Sequence, residues 1–109
     1  MGTGPRFSPG DLVAHKRYGY RGVIAGCDST CRASEDWYWS NASQPDRSQP
    51  WYHVLVHGGR HTTYVAQENL DPYEGGEQVV HPLTQELFES FSQGRYQVRE
   101  GVTFPGPTG

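Results

Sequence analysis

The sequence has few apolar residues and no long apolar stretch. Only 34% of its 109 residues are hydrophobic, and no run of about 18 apolar residues predicts a membrane-spanning helix. The short apolar core of a secretory signal is also missing. We therefore expect an intracellular protein, cytoplasmic or nuclear, or organellar if a transit peptide has been removed. The length predicts a single domain.

Cysteine is scarce, and no motif of catalysis or metal binding is present. Cys27 and Cys31 are the two cysteines, and a reduced, structural pair is typical of an intracellular protein. His53 and His57 would lie roughly 13 Å apart along a strand, too far to share one ion. The sequence has no P-loop, nucleophile elbow or paired-carboxylate motif. We expect no metal, no cofactor and no enzymatic activity.

An excess of positive charge is missing as well, which argues against a general nucleic-acid binder. The formal net charge is −3 at pH 7. Residues 1–64 nevertheless carry seven Lys and Arg against five Asp and Glu, whereas residues 65–109 carry two against seven. The sequence therefore allows a local basic patch, whose attraction for a polyanion the acidic part weakens.

Glycine and proline, in contrast, are abundant, with 14 and 8 residues, which is typical of a turn-rich β fold. The clearest element is a hairpin, in which residues 51–57 and 60–65 are strands and Gly58 and Gly59 form the turn. A two-residue turn places one set of side chains on a common face: Tyr52, Val54, Val56, Thr63 and Val65.

Another pair of strands precedes this hairpin. Residues 12–15 form the first strand, Gly19 lies in the turn, and Gly22 inside the second strand predicts a bulge or bend. Residues 66–72 predict a single helical or 3₁₀ turn. Short strands, glycine corners and one helical turn predict a mainly β fold, a small, strongly bent SH3-like β-barrel.

The C-terminal part predicts a polar spacer and then a helix packed on the barrel. Pro82 suits the first helical turn, and Gly94 suits the end. One apolar stripe has helical spacing: Leu83, Leu87, Phe88 and Phe91. The expected organisation is a flexible N-terminus at 1–6, the barrel domain at 7–74, the spacer and C-terminal helix at 75–94, and an irregular tail at 95–109.

A long polar insertion, residues 27–50, separates the two predicted strand pairs. A connection of this length usually carries function or is partly disordered. The stretch ASEDWYWSNAS predicts a short helix with Ser34 as its N-cap. Trp37 and Trp39 are either exposed anchors for a partner or a cover for the core.

Two stretches, GDLVAHKRYGYRGVIAGCD and QPWYHVLVHGGRHTTYVAQENLDP, carry a family resemblance. They contain a G-x-x-V-x-H strand, a G-Y-x-G-V-I corner, a Y-H-V-L-V strand and a final Y-V-A-x-E-N-L segment. These motifs resemble the YccV-like (HspQ-like, hemimethylated DNA-binding) domain family over residues 7–72. HKRYGYRGVI and CRASEDW are most similar to the versions in eukaryotic F-box proteins and chloroplast protease adaptors. HPLTQELFESF is similar to the segment that follows this domain in polymerase-delta-interacting proteins.

The resemblance implies an SH3-like barrel without catalysis and leaves three binding functions open. The favoured hypothesis is a protein-binding adaptor or modulator in protein degradation or quality control, with a protease, a ubiquitin ligase or a client protein as partner. The alternative is duplex DNA, hemimethylated or not. Its phosphates would be contacted by Lys16, Arg17 and Arg21 in the basic corner that joins the first two strands, with Tyr18 or Tyr20 on a base or sugar. The third is a methyl-lysine or peptide reader with aromatic walls.

The predicted contact surface joins the basic corner to the insertion and the hairpin tip, so that aromatic side chains give affinity and charges set orientation. The alternative at the corner is structural, with Tyr20, Val23 and Ile24 in the core and the cations in water. The candidate residues for protein or DNA contact are Lys16, Arg17, Tyr18, Tyr20, Arg21, Trp37, Trp39, Trp51, Tyr52, Arg60 and His61.

Overall fold

The computed structural model describes residues 4–102, which form a mainly β fold, as the sequence predicts. Five antiparallel strands form one sheet in the order β4-β3-β2-β1-β5. Their bounds are Leu12–His15 for β1, Arg21–Asp28 for β2, Trp51–Val56 for β3, Thr62–Ala66 for β4 and Leu70–Pro72 for β5. Within residues 4–102 no pairing joins β4 to β5, so the hydrogen-bonded sheet is not closed into a barrel.

The remaining elements lie outside this sheet. Helix α1 spans Glu35–Ser40 in the insertion, and a 3₁₀ turn at Gln67–Asn69 joins β4 to β5. Helix α2, Thr84–Leu87, precedes a two-stranded sheet of β6, Phe88–Ser92, and β7, Arg95–Val98. No helix between residues 4 and 102 has the length and apolarity needed to cross a membrane.

The inner face of the five-stranded sheet carries the main core, to which all five strands contribute. Its buried members are Phe7, Val13, Ile24, Tyr52, Val54, Val65 and Leu70. The Tyr52 hydroxyl donates to Gln67 Oε1 and accepts from the backbone N–H of Arg6 and Phe7. The lead-in predicted to be flexible is therefore held at Arg6, while residues 1–3 lie outside the described residues.

The predicted β3–β4 hairpin is confirmed together with its register. Val54 lies opposite Thr63, and Tyr52 lies opposite Val65. In β2, a Cβ on Gly22 would overlap the backbone carbonyl of Leu55, so this glycine permits a close approach of two strands. The irregularity expected at Gly22 lies further along β2, between Ile24 and Gly26.

The predicted C-terminal helix is wrong, because helix α2 is only one turn long and a hairpin follows it. Gln93 and Gly94 both have positive φ, 53° and 75°, as a tight turn between antiparallel strands requires. A register shift after Phe88 places both Phe88 and Phe91 against Tyr96, with ring centroids 4.9 and 4.6 Å away. β7 also occupies part of the predicted irregular tail, of which residues 103–109 lie outside the described residues.

Candidate functional site

A groove of about 750 Å³ runs along β4 and is open to solvent. One wall is the corner between β1 and β2, residues 16–20. The other is the insertion wall, formed by α1 and the residues that follow it up to position 45. β4 is the floor, so segments distant in sequence meet across a single edge strand.

His15 organises the corner. Its Nδ1 accepts hydrogen bonds from the backbone N–H of Arg17 and of Tyr18, both 3.1 Å long. Its ring packs against Tyr18 and Tyr20, with centroids 4.7 and 5.1 Å away. Burial lowers the pKa of His15, and the charge of Arg17 lowers it further. The imidazole is therefore neutral at pH 7, with Nδ1 free of a proton, as both hydrogen bonds require.

The corner presents one tyrosine to solvent and anchors the other to the floor. Tyr18 is 61% exposed, and Arg17 lies over its ring at 5.6 Å. The Tyr20 hydroxyl is 2.8 Å from Thr63 Oγ1 in β4. Gly19 has φ of +75° and open space around its Cβ position, so it allows the chain to turn here.

The insertion wall is held by its own hydrogen bonds. Ser34 caps α1 as predicted, accepting from the backbone N–H of Trp37. The Tyr38 hydroxyl donates to the carbonyl of Pro45 over 2.7 Å, and Arg47 lies 4.7 Å above the Tyr38 ring. Tyr38 is thus the buried aromatic residue of α1, whereas the sequence analysis considered only Trp37 and Trp39 as a cover for the core.

Trp37 joins this wall to the floor of the groove. Its ring meets those of Trp51 and Tyr64 edge-on, with centroids 6.1 and 5.7 Å away. The Tyr64 hydroxyl donates to Asp28 Oδ2 over 2.6 Å, and burial together with this carboxylate raises the pKa of Tyr64. Tyr64 remains a neutral donor as a result, and its ring is fixed at the groove surface.

His53, on β3, lies directly opposite Tyr64 on the same side of the sheet. Its ring centroid is 4.7 Å from that of Tyr64, and its Nε2 is 3.5 Å from Asp28 Oδ2. Burial lowers the pKa of His53, although Asp28 opposes the shift. Arg17 is the one Lys or Arg among the described lining residues, which include no Asp or Glu, so the groove is aromatic with a single strong cation.

The structure brings part of the predicted surface together and separates the rest from it. The predicted residues that line the groove are Arg17, Tyr18, Tyr20, Trp37 and Trp51. Trp39 is 64% exposed. It lies outside the groove, and its ring packs on that of Tyr38. Arg60 and His61 are exposed at the hairpin tip and also lie outside it.

Two other predicted contact residues have structural partners, and a third is buried. The Arg21 guanidinium donates hydrogen bonds of 3.0 Å to the carbonyls of Glu77 and of Gln78. These bonds hold the C-terminal segment against the start of β2. Lys16 Nζ lies 3.7 Å from Asp71. Tyr52 has 0% exposure, so it belongs to the core, and its prediction as a contact residue is wrong.

Sequence reasoning missed Tyr64 and His15 as groove residues. The confirmed hairpin register carries a signal for Tyr64, because it places Tyr64 opposite His53 and beside Trp51 on one face. His15 has no comparable local signal. Cys27 and Cys31 are free thiols, and residues 4–102 contain no group of His, Cys, Asp and Glu placed to hold a metal ion.

Comparison with known proteins agrees with the architecture. Residues 5–95 match the family model described as "Hemimethylated DNA-binding protein YccV like". F-box only protein 21 from Homo sapiens and from Mus musculus are each 36% identical to this chain over 93 residues. The alignments cover 83% of this chain but 15% of each relative, so the chain spans a small part of their length. Because the family match extends from the lead-in to the start of β7, the chain belongs to the YccV-like family.

Proposed function

We propose that this chain is a non-catalytic protein-binding module, an adaptor or modulator in protein degradation, and that the groove along β4 is its contact surface. The observation that carries the proposal is the open aromatic groove itself. Partly exposed aromatic side chains surrounded by polar groups are the usual anchors of protein interfaces. Two free cysteines fit an intracellular setting.

The relatives support the degradation context. They carry the name F-box only protein, and the family resemblance links such versions of the domain with protein quality control. The partner in this proposal is a protease, a ubiquitin ligase or a client protein. Arg17 orients that partner, and the ring faces of Tyr18 and Trp37 supply the apolar contact.

Two exposed aromatic residues provide a matched test. Tyr18 and Trp39 are 61% and 64% exposed, but only Tyr18 lines the groove. A photo-crosslinking phenylalanine derivative is placed at either position, and the purified chain is irradiated in cell extract. We expect position 18 to capture degradation components that unlabelled chain competes away and position 39 to capture none of them. Identical captures at both positions would contradict the proposal.

Duplex DNA is the alternative that the family description favours. The positions of the cations argue against it, because Arg21 is engaged by backbone carbonyls and Lys16 lies beside Asp71. Arg17, the one Lys or Arg among the described lining residues, neutralises too little phosphate for tight binding. Titrations with unmethylated, hemimethylated and fully methylated duplexes at several salt concentrations test this. We expect weak, salt-sensitive binding without methylation preference; a preference for the hemimethylated duplex would establish the DNA function.

A further inference from the structure

The floor of the groove is the free edge of a sheet. β4 is the terminal strand, and within residues 4–102 it pairs only with β3. The N–H of Val56 donates to the carbonyl of His61 over 3.0 Å, and the N–H of Gln67 donates to that of Pro50 over 2.9 Å. Backbone N–H and C=O groups alternate in direction along an antiparallel strand. Those of the odd-numbered residues of β4 therefore point toward β3.

Thr62 and Tyr64 consequently direct their backbone N–H and C=O groups away from β3, and both residues line the groove. Thr62 is exposed and Tyr64 is half-buried. Ala66 has the same backbone orientation, but it is 1% exposed and packed with Ala33. The accessible edge therefore extends over Thr62 to Tyr64 and is closed at Ala66.

We infer that this edge takes an extended peptide segment of the partner protein, which adds a strand to β4. The inference rests on the proposed function and specifies how the groove is used. An added strand pairs the outward N–H and C=O groups of Thr62 and Tyr64 with its own backbone. A helix laid over the same groove would bury these groups unpaired, which is unfavourable because they would lose their hydrogen bonds to water without gaining others.

The sequence of β4 supports this role. Exposed edge strands are commonly protected by charges, proline or bulges. β4 reads TTYVA, with no charged residue and no proline, and its pairing with β3 is regular. It is therefore an unprotected template for another strand.

The two walls define the chemistry of the segment. Successive side chains of a strand point to opposite faces, so alternate residues of the added strand meet the corner and the insertion wall. Tyr18 and Tyr20 on one side and Trp37 on the other favour apolar or aromatic side chains. Arg17, with no acidic residue in the lining, favours an Asp or Glu at one end. The ligand class is an extended, alternating apolar segment with an acidic flank.

Residue-resolved amide exchange tests this mode of binding. Random linear peptides displayed on phage are selected on the purified chain, and the bound sequences are synthesised. We expect a selected peptide to slow exchange of the Thr62 and Tyr64 amides about tenfold or more. The Thr63 and Val65 amides, already bonded to β3, are expected to change little.

Proline provides a matched pair of variants, because it is tolerated at edge positions whose N–H faces outward. Thr62→Pro removes one outward donor without removing a bond to β3, whereas Thr62→Ala keeps the donor. We expect Thr62→Pro to lower peptide affinity about tenfold, as loss of one hydrogen bond predicts, and Thr62→Ala to bind like the natural chain. If Thr62→Pro does not fold, peptides N-methylated at single backbone positions are titrated against the natural chain, with the same loss expected at alternate positions.

The outcomes separate this inference from the proposed function. Peptides that bind without slowing the Thr62 and Tyr64 amides would overturn strand addition. Failure to select any peptide would overturn it too. In both cases, partner capture through position 18 still decides independently whether the groove binds protein, and only its failure removes the proposed function.

Discussion

Two segments cover the outer face of the same sheet, and they cover it differently. The C-terminal segment packs Val79, Phe88 and Tyr96 into a closed cluster over Leu55. The insertion packs Tyr38 over Trp51 but leaves an open groove beside it. One cover completes the core, whereas the other leaves aromatic side chains and a strand edge accessible to a partner.

The difference follows from where each segment finds its hydrogen bonds. The Tyr96 hydroxyl accepts from the N–H of Val79 and donates to its carbonyl, both over 3.1 Å, within a buried cluster. In the insertion, Tyr38 bonds to Pro45 and Trp51 Nε1 bonds to Asp46, both insertion carbonyls. The insertion is thus braced largely by itself and by one layer of aromatic rings. The groove beside it remains open.

The largest difference in stability is expected when one aromatic residue is truncated in the C-terminal segment and one in the insertion. Phe88 is 4% exposed, so Phe88→Ala should lower the free energy of unfolding by about 3–5 kcal/mol. Trp37 is half-buried, and Trp37→Ala should lower it by no more than about 2 kcal/mol while abolishing partner capture. Urea unfolding of both variants measures this. Equal losses of stability would mean that the insertion is as much part of the core as the C-terminal hairpin.

Two glycines with positive φ compare the stability of the closed C-terminal side with that of the open corner. A Cβ on Gly10, where φ is +100°, would overlap the carbonyl of Tyr96, whereas a Cβ on Gly19, where φ is +75°, meets open space. Gly10→Ala should therefore lower the free energy of unfolding by about 2–4 kcal/mol, from strain and overpacking combined. Gly19→Ala should lower it by about 1 kcal/mol, from strain alone. Thermal unfolding compares them, and a larger loss at Gly19 would contradict the open space at the corner.

Arg17, in the corner, and Arg21, the first residue of β2, should separate stability from binding. Arg21→Ala removes bonds to two backbone carbonyls of the C-terminal segment and should lower the free energy of unfolding by about 1–2 kcal/mol. Arg17→Ala should change it by less than about 0.5 kcal/mol, yet weaken partner capture. Denaturation and capture on the same samples test both. Capture that depends on Arg21 and not on Arg17 would move the contact surface away from the groove.

The smallest effect concerns pH. Burial lowers the pKa of His15 and of His53 in the folded chain, so the unfolded chain takes up protons first as pH falls below about 6.5. Stability should therefore be constant above that pH and decrease below it, until the folded histidines are protonated too. The midpoint of urea unfolding, measured from pH 7.5 to 5 in about half-unit steps, tests this. His15→Asn, which keeps an acceptor for the two corner amides, should flatten the decrease; an unchanged slope would exclude His15 as a cause.

Local patterns predicted the elements whose geometry depends on neighbouring residues. The Gly58-Gly59 turn predicted the β3–β4 register, and Ser34 was identified as the cap of α1, because turn and cap hydrogen bonds form within a few residues. The prediction of a C-terminal helix was wrong for a different reason. Spacings of three and four fit a helix, but the register shift after Phe88 places Phe88 and Phe91 on one face of a strand as well.

For the candidate site, the sequence predicted the walls but not the floor. The corner and Trp37 were predicted as contact residues because basic and aromatic side chains cluster there, and residues of both line the groove. Arg21 and Tyr52 look equally suitable in sequence, yet one is bonded to the C-terminal segment and the other is buried. Nothing local distinguishes them, since their partners lie far along the chain.

The sequence by itself determined the mainly β character, the hairpin register, the N-cap of α1 and the family, because these depend on propensity, turn chemistry and short motifs. The tertiary structure alone decided which end of the outer face is closed and which is open. It also placed β4 at the edge, between the corner and the insertion wall. The physical reason is that strand order and burial depend on contacts between distant segments, and the same apolar spacing can be satisfied by a helix or by a bulged strand.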